Sequence, residues 1–404
     1  MSEIKLPEVS KERRHLGAAG RMLLRWSLAI GVGGIGLGTA LTLGSANGRK
    51  DFYFAWLLAF AFVLSLSLGA LFFVILQHLT RAGWSVVVRR LAEAAASTLP
   101  LMALLVVPVV IGMPDLYHWS HHDAVAHDAI LQGKLPYLNA PFFLVRLAAY
   151  LAVWWLLASF FVGTSVAQDA SGDVDLTLRL QRRSAPAMLA FALTVTFASI
   201  DLLMSLDPHW FSTIFGVYFF AGSVVACFAL LVLLARSLQW GGFLRHVITV
   251  EHYHDLGKLL FAFVVFWAYI GFSQYMLYWY ANIPEETGWF LRRQSNGWGW
   301  VGLVLVIGHF ALPFVALLSR TPKRRPALLA AAAAWMLFMH WVDLYWLVMP
   351  ELRPSGALPR IGELAMTVGV CGVWFAFGVW RVGQTSLVPE RDPRLDESLA
   401  FENA

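Results

Sequence analysis

The chain has 404 residues, 59% hydrophobic and 14% charged, with a formal net charge of +5 and a mean hydropathy of +0.64. Soluble domains carry about 25% charged residues, so this composition excludes a soluble protein and implies a chain that faces lipid over most of its surface. The basic residues sit in short stretches between apolar runs, never alternating with aromatics, which excludes a nucleic-acid surface.

Crossing a bilayer core takes about 20 apolar residues. Ten segments qualify, at roughly 24–44, 52–77, 91–113, 141–164, 187–206, 210–236, 257–281, 299–319, 326–349 and 361–381. The expected class is an all-α polytopic membrane protein. Residues 1–23 read as a cytoplasmic tail without a cleavage pattern, 24–381 as one transmembrane domain with an outer loop at 114–140, and 382–404 as a second cytoplasmic tail. With the N-terminus inside, 22 of the 30 Lys and Arg fall on the inner side, 7 in outer loops, and Arg146 inside a span. That bias predicts that both termini are cytoplasmic in a bacterial inner membrane.

In chain order, the first span carries Gly34 and Gly38 in a GxxxG spacing, which suits close helix packing either within the chain or against a partner. The outer loop "DLYHWSHHDAVAHDAI" holds His118, His121, His122 and His127, but in no zinc-site spacing. Docking against a partner is the better reading of that loop, and no metal is assigned. Asp207-Pro208 reads as a tight outer turn, with Asp207 capping the helix that follows. The two cysteines, Cys227 and Cys371, stand alone in apolar runs, so the chain has no cysteine motif for an iron–sulfur cluster or a c-type haem. A b-type haem would need facing histidines at one depth. His309 and His340 meet that depth requirement alone.

Ionisable groups inside a membrane are costly and face the protein interior. Arg146, Asp201, Asp343 and Glu363 fall in outer halves of spans, and His309 and His340 near the middle. His78, His254, Asp255 and Lys258 lie near inner ends. Tyr269, Ser273, Gln274 and Tyr275 continue a polar track along the seventh span, although at most two of the last three can line one path. The set suggests two half-paths for protons, one from each face. Arg146 with Asp201 is better read as a structural pair, with an outer quinol site as the alternative. Asp343 and His340 share a helix face, as a proton relay requires; buried hydrogen bonding is the competing reading.

"SLDPHWFSTIFGVYFFAGS", "YLNAPFFLVR", "HDLGKLLFAFVVFWAYIGFSQYMLYWYANIPEET" and "HWVDLYWLVMP" make the chain resemble the ActF family, membrane subunits of bacterial alternative complex III. The similar strings lie between about 115 and 350. The resemblance implies an NrfD-like (polysulfide-reductase-like) fold of two four-helix bundles plus flanking helices. It implies a respiratory quinol oxidoreductase in which this subunit carries no redox centre and contributes a proton path. Haems c and iron–sulfur clusters would reside in partners: an ActC-like membrane subunit, an iron–sulfur subunit, c-type cytochromes, and by extension a terminal oxidase. Quinone, either menaquinone or ubiquinone, is the one small molecule it leaves open for this chain. A stand-alone secondary transporter is the reading from another class, but no pair of spans carries the matched Gly/Pro breaks typical of such proteins.

Overall fold

The computed structural model describes Val9 and residues 12–403; Lys5 and Lys11 of the basic N-terminal segment lie outside the described residues. Among the described residues, ten helices are long and apolar enough to cross a membrane: α1 Gly17–Leu43, α2 Arg49–Leu79, α3 Val86–Ile111, α4 Ala140–Ser171, α5 Val174–Leu206, α6 Phe215–Trp240, α7 Val250–Ala281, α8 Trp298–Leu318, α9 Pro326–Leu352 and α10 Ile361–Val382. The chain is therefore an all-α, multi-pass membrane protein.

Several helices outrun their apolar cores. α5 begins at Val174 rather than near 187, because the Asp173 carboxylate accepts from the Asp175 N–H at 2.9 Å and starts the helix before its charged turns. Those turns carry Arg179, Arg182 and Arg183. α4 opens on Asn139, whose side chain accepts from the Phe142 N–H at 2.9 Å, and closes on Gly172 at φ 69. α3 is broken into short helical pieces that include Pro100 and Pro108. In α8, Leu305–Ala311 widens into a π-turn. Pro313 follows this segment and lacks an N–H, and the Gly308 carbonyl accepts from the Trp335 indole at 2.7 Å.

Packing partners sort the spans into two four-helix bundles, α2–α5 and α6–α9, flanked by an α1–α10 pair. α2 is apolar all round and buried along its span; it touches α3 and α5 in its own bundle, α6 and α9 in the other, and α10 outside. Between the bundles, Gly69 lets α2 approach Ser223 and Cys227 of α6. The GxxxG glycines act within the chain. A Cβ on Gly34 would stand 2.6 Å from Gly369 Cα, and one on Gly38 2.7 Å from Met366 N. Backbone cannot retreat as a side chain can, so Gly34→Val should cost at least the 1–3 kcal/mol typical of overpacking. A lowered melting temperature and new protease sensitivity of α1 would register it; an unchanged melting temperature would refute the seam.

Arg14, ahead of α1, and Leu387, after α10, meet on one face, called here the terminal face, where the Leu387 N–H donates to the Arg14 carbonyl at 2.7 Å. Residues after α10 do not form a free tail. Asp392 pairs with Arg89 at 2.5 Å, and the Ser398 hydroxyl donates to the Trp84 carbonyl at 2.6 Å. Asn403 accepts from Lys258 at 2.7 Å. The segment thus straps the ends of α3 and α7.

Candidate functional site

The second bundle encloses a polar cluster at the depth where apolar packing is otherwise complete. Asp343 of α9 is 2% exposed, His340 one turn away 1%, and His309 in the π-turn of α8 0%. Asp343 accepts from the Tyr218 hydroxyl of α6 at 2.5 Å and from the Trp267 indole N–H of α7 at 3.1 Å. All four helices of the bundle therefore meet at one carboxylate and its neighbours. One ligand atom from each of His309, His340 and Asp343 lies within 4.8 Å of the others.

Ser65 of α2 sets the orientation of His340. Its hydroxyl oxygen lies 2.7 Å from the Phe62 carbonyl and 2.8 Å from His340 Nε2. With Nε2 held there, His340 turns Nδ1 toward the cluster. Nδ1 has no partner among the described residues, nor has either ring nitrogen of His309. Gly222 leaves the room beside them: a Cβ there would lie 3.2 Å from His340 Nδ1 and 3.5 Å from Asp343 Oδ2. Unpaired buried imidazole nitrogens this close to a carboxylate can share a trapped water. The arrangement can hold a proton on Asp343 and pass it to an imidazole. The Trp267 ring stands 3.8 Å, centroid to centroid, from His309.

The other candidates separate into groups. Arg146 and Asp201 form a two-pronged pair at 2.8 and 2.9 Å, and Tyr150 adds a third donor to Asp201 at 2.8 Å. Arg146 also donates to the Tyr137 carbonyl at 2.9 Å and lies over the Tyr137 ring at 3.9 Å. Every strong donor is used, the geometry of a structural clamp between α4 and α5. Gln274 is buried and accepts from Ser212 at 3.0 Å. Tyr269 breaks the expected polar track: it is 64% exposed, because Trp267, Ile270 and Gln274 occupy the inward face of α7. Tyr275 is also exposed and bonds Gln294 at 3.0 Å. Asp255 pairs with Lys258 at the terminal end of α7, about 18 Å along the helix from Trp267. His254 is buried there with Nδ1 unpaired.

Asp207 does not cap α6, which starts eight residues later at Phe215. Its carboxylate holds the turn instead, accepting from the His209 N–H at 3.1 Å and pairing with Arg292. In the loop 114–140, His121 and His127 bond the Pro114 and Asp123 carbonyls at 2.7 and 2.8 Å. Asp128 pairs with His209 at 2.5 Å, and that hydrogen bond holds its carboxyl below the usual range. Glu363 lies against Arg353 and accepts from the Arg360 N–H at 2.9 Å.

Three elements escaped the sequence reading. Tyr218, Trp267 and Ser65, which shape the cluster, look like ordinary span residues; for Trp267 the inward spacing with Gln274 was the available signal. Arg89, Arg90 and Glu93 read as loop charge or nothing at all, yet all three are buried at the terminal end of α3. Arg89 meets Glu93 at 3.1 Å, and Arg90 meets Glu93 at 3.3 Å and Asp169 at 2.6 Å. Above them, Thr98 and Ser67 share a hydrogen bond of 2.8 Å, and the Trp374 indole donates to Ser67 at 2.8 Å. Buried polar groups on the terminal side thus run along α2 and α3 more densely than along α7. Arg293, counted as a loop cation, is 1% exposed.

Compared with models of known protein families and with curated proteins, the chain matches none.

Proposed function

We propose that this chain is a membrane subunit of a respiratory quinol oxidoreductase of the alternative complex III kind, without a redox centre of its own, and that it carries a proton path centred on Asp343. The observation that carries the reading is the fully enclosed Asp343–His340–His309 cluster, with unpaired imidazole nitrogens turned toward a carboxylate in the middle of a helical bundle. A charge there is costly, and the cluster places hydrogen-bond donors on a carboxylate that no Arg or Lys among the described residues pairs. Purely structural buried acids of this chain, such as Asp201 and Glu363, are paired with arginines instead. The two four-helix bundles and flanking pair suit the NrfD-like fold implied by the resemblance.

In this reading the terminal face is cytoplasmic, and protons reach the cluster along the polar groups of α2 and α3 or past His254 and Asp255. Haems c and iron–sulfur clusters belong to partner subunits, with quinol oxidised outside this chain. The Arg146–Asp201 clamp supports helix packing rather than a quinol site. Purifying the tagged chain from its own membranes tests membership in the assembly. Haem c absorption and quinol-oxidising activity should accompany it through size exclusion. A colourless protein migrating alone, as a transporter would, contradicts the reading.

A further inference from the structure

Outward from Asp343 the bundle is plugged by aromatic rings. Trp210 and Trp289 stack at 4.2 Å between centroids, Trp289 meets Trp346 edge-on at 5.3 Å, and Phe290 stands 4.8 Å from Trp289. Into this plug the helix Pro284–Gln294 inserts Arg293. Its guanidinium lies 3.5 Å from the centroid of the Trp289 ring and donates to the Trp289 carbonyl at 3.2 Å. It also donates to the Trp346 and Leu347 carbonyls at 3.2 and 2.8 Å. Those carbonyls are one turn beyond Asp343 on α9, and the charge is within Coulombic reach of the Tyr218 phenol that bonds Asp343.

On the far side Arg293 meets Glu351 at 3.1 Å. Glu351 also faces Arg292, which pairs with Asp207. These groups open on a cleft of about 390 Å³ at the distal face, lined further by Lys50, Asp115, His118, His121 and His209. The Asp343 cluster and an open polar cleft are thus separated by a buried cation in an aromatic seal.

We infer that Arg293 is the electrostatic barrier of the proton path, separating Asp343 from the Glu351–Asp207 cleft and preventing passive return of protons from the distal face. The inference rests on the proton-path reading. A fixed arginine in a narrow dry passage repels a proton while leaving neutral groups undisturbed. Burial pushes the Arg293 pKa down to about 9, with Glu351 opposing the shift, so the charge persists at neutral pH. Its hydrogen bonds to three backbone carbonyls keep it in place.

The test needs no electron transfer. The full protein, isolated with whatever subunits accompany it, is reconstituted into liposomes holding a pH-sensitive dye, and proton influx is driven by a potassium diffusion potential. Arg293→Met should raise influx about tenfold over wild type, since one unit charge a few ångströms from a transient proton is worth at least that in rate. Arg293→Lys should stay at the wild-type rate, and adding Asp343→Asn to Arg293→Met should abolish the leak. If Arg293→Met does not fold, Arg293→Gln, which keeps donors for the Leu347 carbonyl, replaces it. Wild-type influx in a folded neutral variant overturns the barrier. So does a leak that survives Asp343→Asn. Either result stands apart from the coupling measurement on Asp343→Asn alone, which decides the proton-path reading itself.

Discussion

Arg146→Ala should destabilise the protein by about 3–5 kcal/mol, the range seen when one partner of a buried ion pair is removed. The loss strips Asp201 of two donors and leaves only Tyr150 to hold a carboxylate that is 2% exposed. The Tyr137 carbonyl, which anchors the start of α4, loses its donor as well. Asp201→Asn together with Arg146→Met should recover much of the loss, because the uncompensated charge is gone. Thermal unfolding in detergent measures both variants. The same variants separate the clamp from a quinol site: the apparent KM for quinol should be unchanged in whatever complex assembles. A raised KM with normal stability would give Arg146 back to quinol binding.

Arg89→Ala should be as damaging, at about 3–5 kcal/mol. Arg89 alone faces both Glu93, 0% exposed, and Asp392, 6% exposed. Without it Arg90 must serve Glu93 and Asp169, and Asp392 has no cation. Asp392 is also the charged tie between the C-terminal strap and α3, so the strap should loosen. Limited proteolysis should then cut between Val388 and Ala400 in the variant and spare the wild type. Equal protection in both would mean that Ser398, through its bonds to Trp84 and Val87, holds the strap unaided.

The ten spans were legible because lipid imposes a length of about 20 apolar residues that nothing else in the chain imitates. Their ends were not. Arg179, Arg182 and Arg183 look like a loop by hydropathy, yet a helix started by Asp173 carries them beyond the apolar core. The membrane acids were found for a related reason: Asp201, Asp343 and Glu363 are rare enough in apolar runs to announce themselves. What could not be read was which of them had a cation opposite. Arg146 finds Asp201 and Arg353 finds Glu363, while among the described residues Asp343 bonds only Tyr218 and Trp267. That difference is set by tertiary packing across four helices, and it separates the clamps from the candidate relay. His309 depends on the π-turn of α8, which the sequence marks by nothing more specific than Pro313. Arg292 and Arg293 are identical neighbours in sequence, but one is 37% exposed in its side chain and the other 1%. A helix turn of 100° decides which enters the aromatic plug.

On the proposed function, Asp343 carries the translocated proton. Asp343→Asn keeps the side-chain shape and an acceptor for Tyr218 or Trp267, at a cost of about 1–3 kcal/mol for the mismatched donor. It removes the exchangeable proton site. The deciding measurement is the proton-to-electron ratio of the intact complex in sealed vesicles oxidising quinol, wild type against Asp343→Asn. A lowered ratio with assembly and detergent turnover largely retained is expected of a proton carrier; an unaltered ratio at normal turnover would leave Asp343 a hydrogen-bonded core residue.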